Sequence, residues 1–241
     1  MKIYNSFSPN FNKKKRSKNS IKIIVIHYTG VQSGLESLNW LCNPNSNVSS
    51  HFLISQNGRT YRLINDSLIA WHAGKSCWGS FKNLNKNSIG IELVNKGHAF
   101  GYTNFKKKQI LSLIKICKML IRKYKIKKRN IVGHSDISPL RKKDPGEKFP
   151  WKELAKKNIG IWHNYRSNFI KKFRKIKITK KQDKIRFIRN LNKIGYCVSV
   201  KKKSFLIKIT KAFQRRYRKQ LINGLIDKEC LIIAENLSKK V

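Results

Sequence analysis

The stretch Ile131-Val-Gly-His-Ser-Asp-Ile-Ser-Pro-Leu-Arg-Lys-Lys-Asp-Pro-Gly146 is the part of the sequence that decides the fold. It begins with a short apolar run, turns at Gly133 and continues as a polar segment that contains Pro139 and Pro145. A polar segment with prolines and glycines is neither a strand nor the interior of a helix. The pattern predicts a strand leading into a shaped loop, where site residues commonly lie on a rigid scaffold.

This loop carries two side chains of the kind that bind a transition metal. His134 offers an imidazole nitrogen and Asp144 a carboxylate oxygen, and zinc accepts both. A catalytic zinc site needs three protein ligands and keeps one position open. We therefore expect the rest of the chain to supply one more ligand and a group that handles protons.

Two other apolar segments have the character of buried strands. The run Ile21-Lys-Ile-Ile-Val-Ile-His-Tyr28 places His27 near its end, where a histidine is by itself more often a core residue than a ligand. The run Ser88-Ile-Gly-Ile-Glu-Leu-Val-Asn95 places Glu92 inside an apolar strand. Since burying an unpaired carboxylate is costly, we expect Glu92 to face a cleft, a cation or a metal, with an ordinary salt bridge as the alternative.

The remaining pattern before residue 130 predicts a helix over residues 33–42 and a hairpin around Gln56-Asn57-Gly58. The clearest helix runs from Phe105 to Tyr124, with apolar residues recurring every three or four positions and lysines on the opposite face. Thr103 or Asn104 is its expected N-cap.

An aromatic loop is predicted at Ala70-Trp-His-Ala-Gly-Lys-Ser76 and the following Trp78 and Gly79. Such a loop suits stacking on a sugar or lining a groove, which makes Trp71, His72 and Trp78 candidate groove residues. The alternative is a loop folded back on the core with Trp71 as its plug.

The charge of the chain is extreme, with 55 Lys and Arg against 11 Asp and Glu and a formal net charge of +44. One interpretation is an anionic partner, either nucleic acid or an acidic envelope polymer. The basic residues are spread over the whole length, which favours a general composition bias instead. In either case, binding to polyanions should be sensitive to salt.

The five cysteines are odd in number and form no CxxC pair, so we expect no disulfide framework and a reducing compartment. Cys117 lies in the apolar face of a predicted helix and is expected in the core. Residues 1–20 contain no apolar run of the kind found in a secretory signal, and no segment is long enough to span a membrane. These features predict a cytoplasmic protein.

Four regions follow from the pattern. Residues 1–20 form an extended arm, 21–162 a catalytic domain, 163–182 a basic linker and 183–241 a small three-helix domain. In the last region Asp183 and Asp227 are candidate caps, and Asn223-Gly224 is expected to end the second helix.

Together, these motifs resemble the zinc-dependent N-acetylmuramoyl-L-alanine amidases of the amidase 2 family, within it the AmiD branch. The matching segments are Ile24-Val-Ile-His-Tyr-Thr-Gly30, Ala70-Trp-His-Ala-Gly74, Ile89-Gly-Ile-Glu92, Gly133-His-Ser-Asp-Ile-Ser-Pro139 and Arg141-Lys-Lys-Asp-Pro-Gly146. The C-terminal part, with Gly195-Tyr196, Ala212-Phe-Gln214 and Gly224-Leu-Ile-Asp227, resembles a peptidoglycan-binding three-helix domain. The resemblance implies an α/β fold, a mixed central β-sheet flanked by helices, plus the three-helix domain.

Residue by residue, the resemblance implies one Zn²⁺ held by His27, His134 and Asp144. It makes Glu92 the catalytic glutamate and Lys142 the catalytic lysine. The implied substrate is the amide between N-acetylmuramic acid, intact or 1,6-anhydro, and L-alanine in peptidoglycan or muropeptides. The family's AmiD branch acts in the envelope, but the chain has no lipid-attachment cysteine near its start.

Two other functions stay open at this point: a peptidoglycan-recognition module that does not cleave, and a polyanion or nucleic-acid binder. No specific nucleic-acid motif is visible, and a basic surface alone is a weak indication. We expect a monomer. We also expect that removing residues 183–238 weakens wall binding but spares turnover of small soluble muropeptides.

Overall fold

The computed structural model describes residues 2–198 and 203–241. Its centre is a six-stranded mixed sheet. The strands are Ile3–Asn5 (β1), Ile23–Tyr28 (β3), Phe52–Ile54 (β4), Thr60–Arg62 (β5), Ser88–Leu93 (β9) and Ile131–Gly133 (β10). They lie in the order β1-β5-β4-β9-β3-β10, and within this sheet only the β4–β5 pair, the predicted hairpin, is antiparallel. Two small antiparallel pairs lie outside it: Phe11–Asn12 (β2) with Ile69–Ala70 (β6), and Cys77–Trp78 (β7) with Phe81–Lys82 (β8).

Helices cover both faces of the sheet, which confirms the predicted α/β architecture. They are Gly34–Cys42 (α1), Lys107–Tyr124 (α2), His134–Ile137 (α3), Trp151–Lys156 (α4), Ser167–Lys171 (α5), Lys181–Ile194 (α6), Lys203–Tyr217 (α7) and Lys228–Ser238 (α8). None of those helices, within the described ranges, combines the length and apolar character needed to cross a bilayer.

The long helix α2 packs its apolar side on one face of the sheet. Leu113, Cys117 and Leu120 are fully buried there against β-branched residues of the strands, as the sequence pattern predicts. The predicted cap was wrong, because the helix begins beyond Asn104 and its N-cap, Lys106, makes no side-chain bond to the helix. Asn95 explains the delay, since its side chain bonds both the N–H and the C=O of Thr103 and holds that residue in the preceding loop.

The C-terminal helices pack on the other face of the sheet. One apolar cluster joins Val25 and Val132 of the strands to Phe187 and Phe213 of α6 and α7, so these helices share their core with the sheet. The predicted basic linker includes helix α5 and the buried residue Ile170. The division into regions at 163 and 183 therefore stays a prediction from the sequence.

The ends of these helices correct two predictions and confirm one. Asp227 caps α8 by accepting from the N–H of Cys230 at 2.9 Å. Asp183 is not a cap, because α6 begins earlier and Asp183 lies in its first turn. Helix α7 ends at Tyr217, before Asn223-Gly224.

The expectation of no disulfide was wrong. Cys77 at the start of β7 is bonded to Cys197 beyond α6, across a sequence separation of 120 residues. The spacing of the two cysteines gives no hint of this pairing, because only the packing of the C-terminal helices brings them together. The argument for a reducing compartment thereby loses its premise.

Candidate active site

Three potential metal ligands meet at the carboxyl edge of the parallel strands. His27 lies near the end of β3, His134 directly follows β10, and Asp144 lies in the loop beyond α3. The Nδ1 atoms of the two histidines are 3.0 Å apart, and each lies 3.1 Å from Oδ2 of Asp144. All three residues are buried. Among the described residues they form the only group of three His, Cys, Asp or Glu side chains whose ligand atoms all lie within 4.8 Å of one another.

The triangle formed by these three atoms fits a zinc ion. Ligand atoms at about 2.0–2.1 Å from a tetrahedral ion lie roughly 3.3 Å from one another, close to the observed separations. Two imidazole nitrogens and one carboxylate oxygen are donors that zinc accepts at catalytic sites. Burial, and then the neighbouring His134, lower the pKa of His27 to about 4, which keeps this imidazole neutral as a ligand must be.

Hydrogen bonds assign the tautomer of His27. The hydroxyl of Ser88 donates to the C=O of Leu84, so it must accept from Nε2–H of His72, 3.1 Å away. Nδ1 of His72 is then an acceptor, and Nε2–H of His27 donates to it at 3.1 Å. Nδ1 of His27 is therefore left with a free lone pair that points into the triangle.

The close approach of His72 to the sheet requires Gly90. A Cβ at Gly90 would lie 2.5 Å from the ring of His72, which no side chain tolerates. This contact accounts for the glycine between Ile89 and Ile91 in strand β9.

His134 is held by a different set of contacts. Its Nε2–H donates to the C=O of Ala73 at 3.2 Å, which again leaves Nδ1 free for a metal. The loop that carries Asp144 is tied to the same helix, because the N–H of Ser135 donates to the C=O of Asp144 at 2.8 Å.

Asp136, two residues beyond His134, anchors this short helix to the C-terminal part of the chain. Its Oδ2 accepts from the N–H of Gly133 at 2.8 Å and from the guanidinium of Arg216. Its Oδ1 accepts from the hydroxyl of Tyr196 at 2.6 Å. Sequence reasoning missed this anchor, because Arg216 lies 80 residues from Asp136 and reads as one of many basic residues.

Glu92 stands next to the triangle without joining it. The β3–β9 register pairs it with His27, and its Oε1 lies 4.0 Å from Nδ1 of that residue. Burial, and then the charge of Asp144, raise the pKa of Glu92 to about 8, against the opposing effect of Lys142. A carboxyl group with this pKa can both take up and release a proton near neutral pH.

These residues line a cleft of about 530 Å³. Of the predicted site residues, His27, Glu92, His134, Lys142, Asp144, Trp71 and His72 all line it. Trp78 does not, since it is buried in the core against Tyr196, with ring centroids 5.0 Å apart. The aromatic loop thus divides into a cleft-lining part at Trp71 and a core part at Trp78.

The cleft also contains residues that the sequence analysis did not select. Tyr28 and His98 lie on its wall, with the Tyr28 hydroxyl 2.7 Å from Nδ1 of His98. Arg141 lies within residues 133–144, the segment that carries His134 and Asp144 and is called the metal loop below. It donates to the C=O of Ala73 and of Lys75 in the aromatic loop. The position of Tyr28 directly after His27 was a usable signal, whereas His98 gave none.

Comparisons with known proteins agree with this geometry. The N-acetylmuramoyl-L-alanine amidase family profile matches residues 17–147. The chain is 37% identical to the N-acetylmuramoyl-L-alanine amidase AmiD of Escherichia coli, covering 91% of this chain and 83% of that protein. It is 42% identical to the 1,6-anhydro-N-acetylmuramyl-L-alanine amidase AmpD of Haemophilus influenzae, over 43% of this chain and 55% of that protein.

Two solved structures share the whole architecture. The complex of Escherichia coli AmiD with anhydro-N-acetylmuramic acid-L-Ala-D-gamma-Glu-L-Lys superposes with a TM-score of 0.81 and 35% identity, covering 95% of this chain and 92% of that one. AmpDh3 of Pseudomonas aeruginosa in complex with anhydromuramic pentapeptide gives a TM-score of 0.81 and 28% identity, covering 96% of both chains.

Proposed function

Because the chain belongs to the N-acetylmuramoyl-L-alanine amidase family, we propose that it hydrolyses the amide between N-acetylmuramic acid and L-alanine in peptidoglycan or muropeptides. The observation that carries this proposal is the triangle of His27, His134 and Asp144 with Glu92 paired to His27 across the sheet. The muramic acid is intact or in its 1,6-anhydro form, as the relatives with known ligands bind the latter.

One zinc ion is the metal that the three donors fit, and when bound it would supply Lewis acidity to the scissile carbonyl. Glu92 takes the proton of the attacking water on its carboxylate and later gives it to the nitrogen of L-alanine. The new carbon–oxygen bond forms first and puts negative charge on the carbonyl oxygen. The carbon–nitrogen bond then breaks as Glu92 protonates the nitrogen, which leaves a lactyl carboxylate and a free amine. Lys142, on the wall of the same cleft, places its ammonium near the negative charge that develops on the carbonyl oxygen.

A recognition module that binds without cleaving is the main alternative. That function needs neither three metal donors nor a buried carboxyl group with a raised pKa, and this chain has both. The arrangement therefore favours the enzyme.

The test compares a variant that removes a proposed metal ligand with a variant that removes the proposed proton carrier. His134→Ala should abolish both bound zinc and cleavage of muropeptides. Glu92→Gln should keep its zinc but lose turnover by a factor on the order of 10² or more, because an amide cannot carry the proton. Zinc content by atomic spectroscopy and product analysis by mass spectrometry are the two measurements.

Lys142→Ala, also measured, should retain zinc and lose turnover if the lysine acts on the oxyanion. Full activity after exhaustive chelation, or full activity of Glu92→Gln, would refute the proposal.

A further inference from the structure

A second large cleft lies at the opposite end of the sheet from the metal site. It has a volume of about 960 Å³ and is bounded by residues 127–129, by helix α4, by residues 160–166 and by the C-terminal residues 240–241. Arg129 precedes strand β10 and His134 follows it. At about 3.3 Å per residue, the three residues of that strand separate the two clefts by roughly 10 Å. They have no lining residue in common, so both can be occupied at once.

The wall of this cleft is strongly basic. It includes seven Lys and Arg side chains, among them Lys128, Lys152 and Arg166, and no Asp or Glu among the described lining residues. The nearest acid in the sequence, Glu153, is exposed on α4 and pairs at 3.2 Å with Lys156, one of these seven, which leaves six cations of the wall without an acidic partner among the described residues. Burial, and then the charges of Lys152 and Lys240, lower the pKa of His163 to about 4. The cleft is therefore a focused positive region that favours an anionic ligand.

Aromatic rings form the floor between these charges. Trp162, His163 and Tyr165 follow one another with neighbouring ring centroids 5.1 and 6.0 Å apart and inclined by 30° and 33°. All three are partly exposed, and Lys240 fixes the backbone by donating to the C=O of Trp162 at 2.6 Å. Partly exposed aromatic rings in the wall of a cleft can offer apolar contact to sugar rings.

We propose that this basic aromatic cleft binds a second segment of the anionic cell-wall glycopeptide while the metal cleft holds the scissile amide. The inference rests on the proposed function, because that function supplies a polymer with both features the cleft recognises. Such a polymer carries sugar rings, and in the AmiD ligand the γ-linkage of the glutamate leaves its α-carboxylate free. Binding at two separate sites raises the effective concentration of the active site on an insoluble polymer.

The experiment uses the full-length chain in two backgrounds. In the Glu92→Gln background, which leaves the wall uncut, binding to purified sacculi is measured at low and at raised salt. The test variant is Lys128→Gln/Lys152→Gln/Arg166→Gln. The matched control is Lys107→Gln/Lys115→Gln/Lys118→Gln, which removes the same charge from the exposed face of α2. We expect sacculus binding to weaken about tenfold in the test variant and less than about twofold in the control.

Turnover of a small soluble muropeptide by the same triple variants, with Glu92 intact, should equal that of the unaltered chain. If the unaltered chain does not cleave soluble muropeptides at all, the proposed function is refuted. If the two triple variants bind sacculi equally well, this second site alone is refuted. Binding of the same variants to an oligonucleotide and to vesicles of anionic phospholipid is measured in parallel. If the test variant binds either of these probes more weakly but binds sacculi as before, the glycopeptide is not the occupant and the proposal is overturned.

Discussion

The two histidines of the metal site are supported in different ways, although their Nδ1 atoms lie only 3.0 Å apart. His27 is oriented by His72, which is held in turn by Ser88; these two residues are called the inner support. His134 lies on a short helix that Asp136 anchors to Tyr196 and Arg216 of the C-terminal region; these three residues are called the outer support.

The outer support is built from buried charge. Arg216 is 4% exposed, pairs with Asp136, donates to the C=O of Ile131 at 3.0 Å and lies 4.0 Å from the ring centroid of Trp151. The disulfide between Cys77 and Cys197 fixes the same C-terminal region to the aromatic loop. The His134 half of the metal site therefore depends on C-terminal helices that the sequence analysis assigned to a separate domain.

The largest effect should come from breaking the outer support. Arg216→Met leaves Asp136 buried without its partner, and such a change costs about 3–5 kcal/mol of unfolding free energy. Because Asp136 bonds the N–H of Gly133 beside His134, the variant should also bind zinc more weakly and lose kcat on soluble muropeptides. Urea unfolding, zinc titration and steady-state kinetics measure the three quantities.

A matched control separates this role from stability alone. Arg218 is equally buried and pairs with Asp227 at 3.1 Å within the C-terminal helices, away from the metal loop. Arg218→Met should lose similar stability but keep zinc affinity and kcat in the folded fraction. If the two variants behave alike towards zinc, Arg216 does not position the metal loop. The same contacts lead us to expect that removing residues 183–238 impairs soluble turnover, in contrast to the expectation from the sequence.

The inner support should give a smaller and more selective effect. His72→Leu removes the acceptor for Nε2–H of His27 and frees that ring to change tautomer, so zinc affinity should fall about 10–100-fold. Turnover should recover at high zinc concentration, because Glu92 and Lys142 keep their places. Competition with a chromophoric chelator measures the affinity. Ser88→Ala, which acts one bond further away, should lose less, and an unchanged zinc affinity in His72→Leu would mean that the tautomer is fixed elsewhere.

The sequence allowed prediction of the residues of the site but not of the contacts that hold His134 in place. The loop pattern selected His134 and Asp144, the apolar strand around Glu92 selected that carboxylate, and the family resemblance added His27. The Asp136–Arg216 pair and the Cys77–Cys197 bridge join residues 80 and 120 positions apart, and no local pattern encodes such contacts. Trp78 was predicted to line the groove because a tryptophan among glycines is typical of a binding loop. Its packing partner Tyr196 follows helix α6, and no local pattern links the two residues.

The smallest expected effect distinguishes the two supports by pH. The inner support continues beyond His72 to His51, with ring centroids 5.7 Å apart, and burial, and then the charge of Arg16, lower the pKa of His51 to about 3. In the unfolded chain a histidine has a pKa of about 6.5, so between these values the unfolded state binds the extra proton and stability falls as pH falls. In the outer support, burial lowers the pKa of Arg216, but the charges of Tyr217 and then of Asp136 outweigh this effect and raise it, so the guanidinium stays charged throughout this range.

We therefore expect that, in zinc-free protein, His51→Asn reduces the slope of unfolding free energy against pH by about 1.4 kcal/mol per pH unit between roughly pH 6 and pH 4. The slope is the informative quantity, because any weakening of the bonds that His51 makes to Gly90 and Leu68 lowers stability equally at every pH. Urea unfolding at a series of pH values measures it. Equal slopes for the two proteins would show that His51 binds its proton as readily in the folded state as in the unfolded state, and the inner support would then be no more sensitive to acid than the outer one.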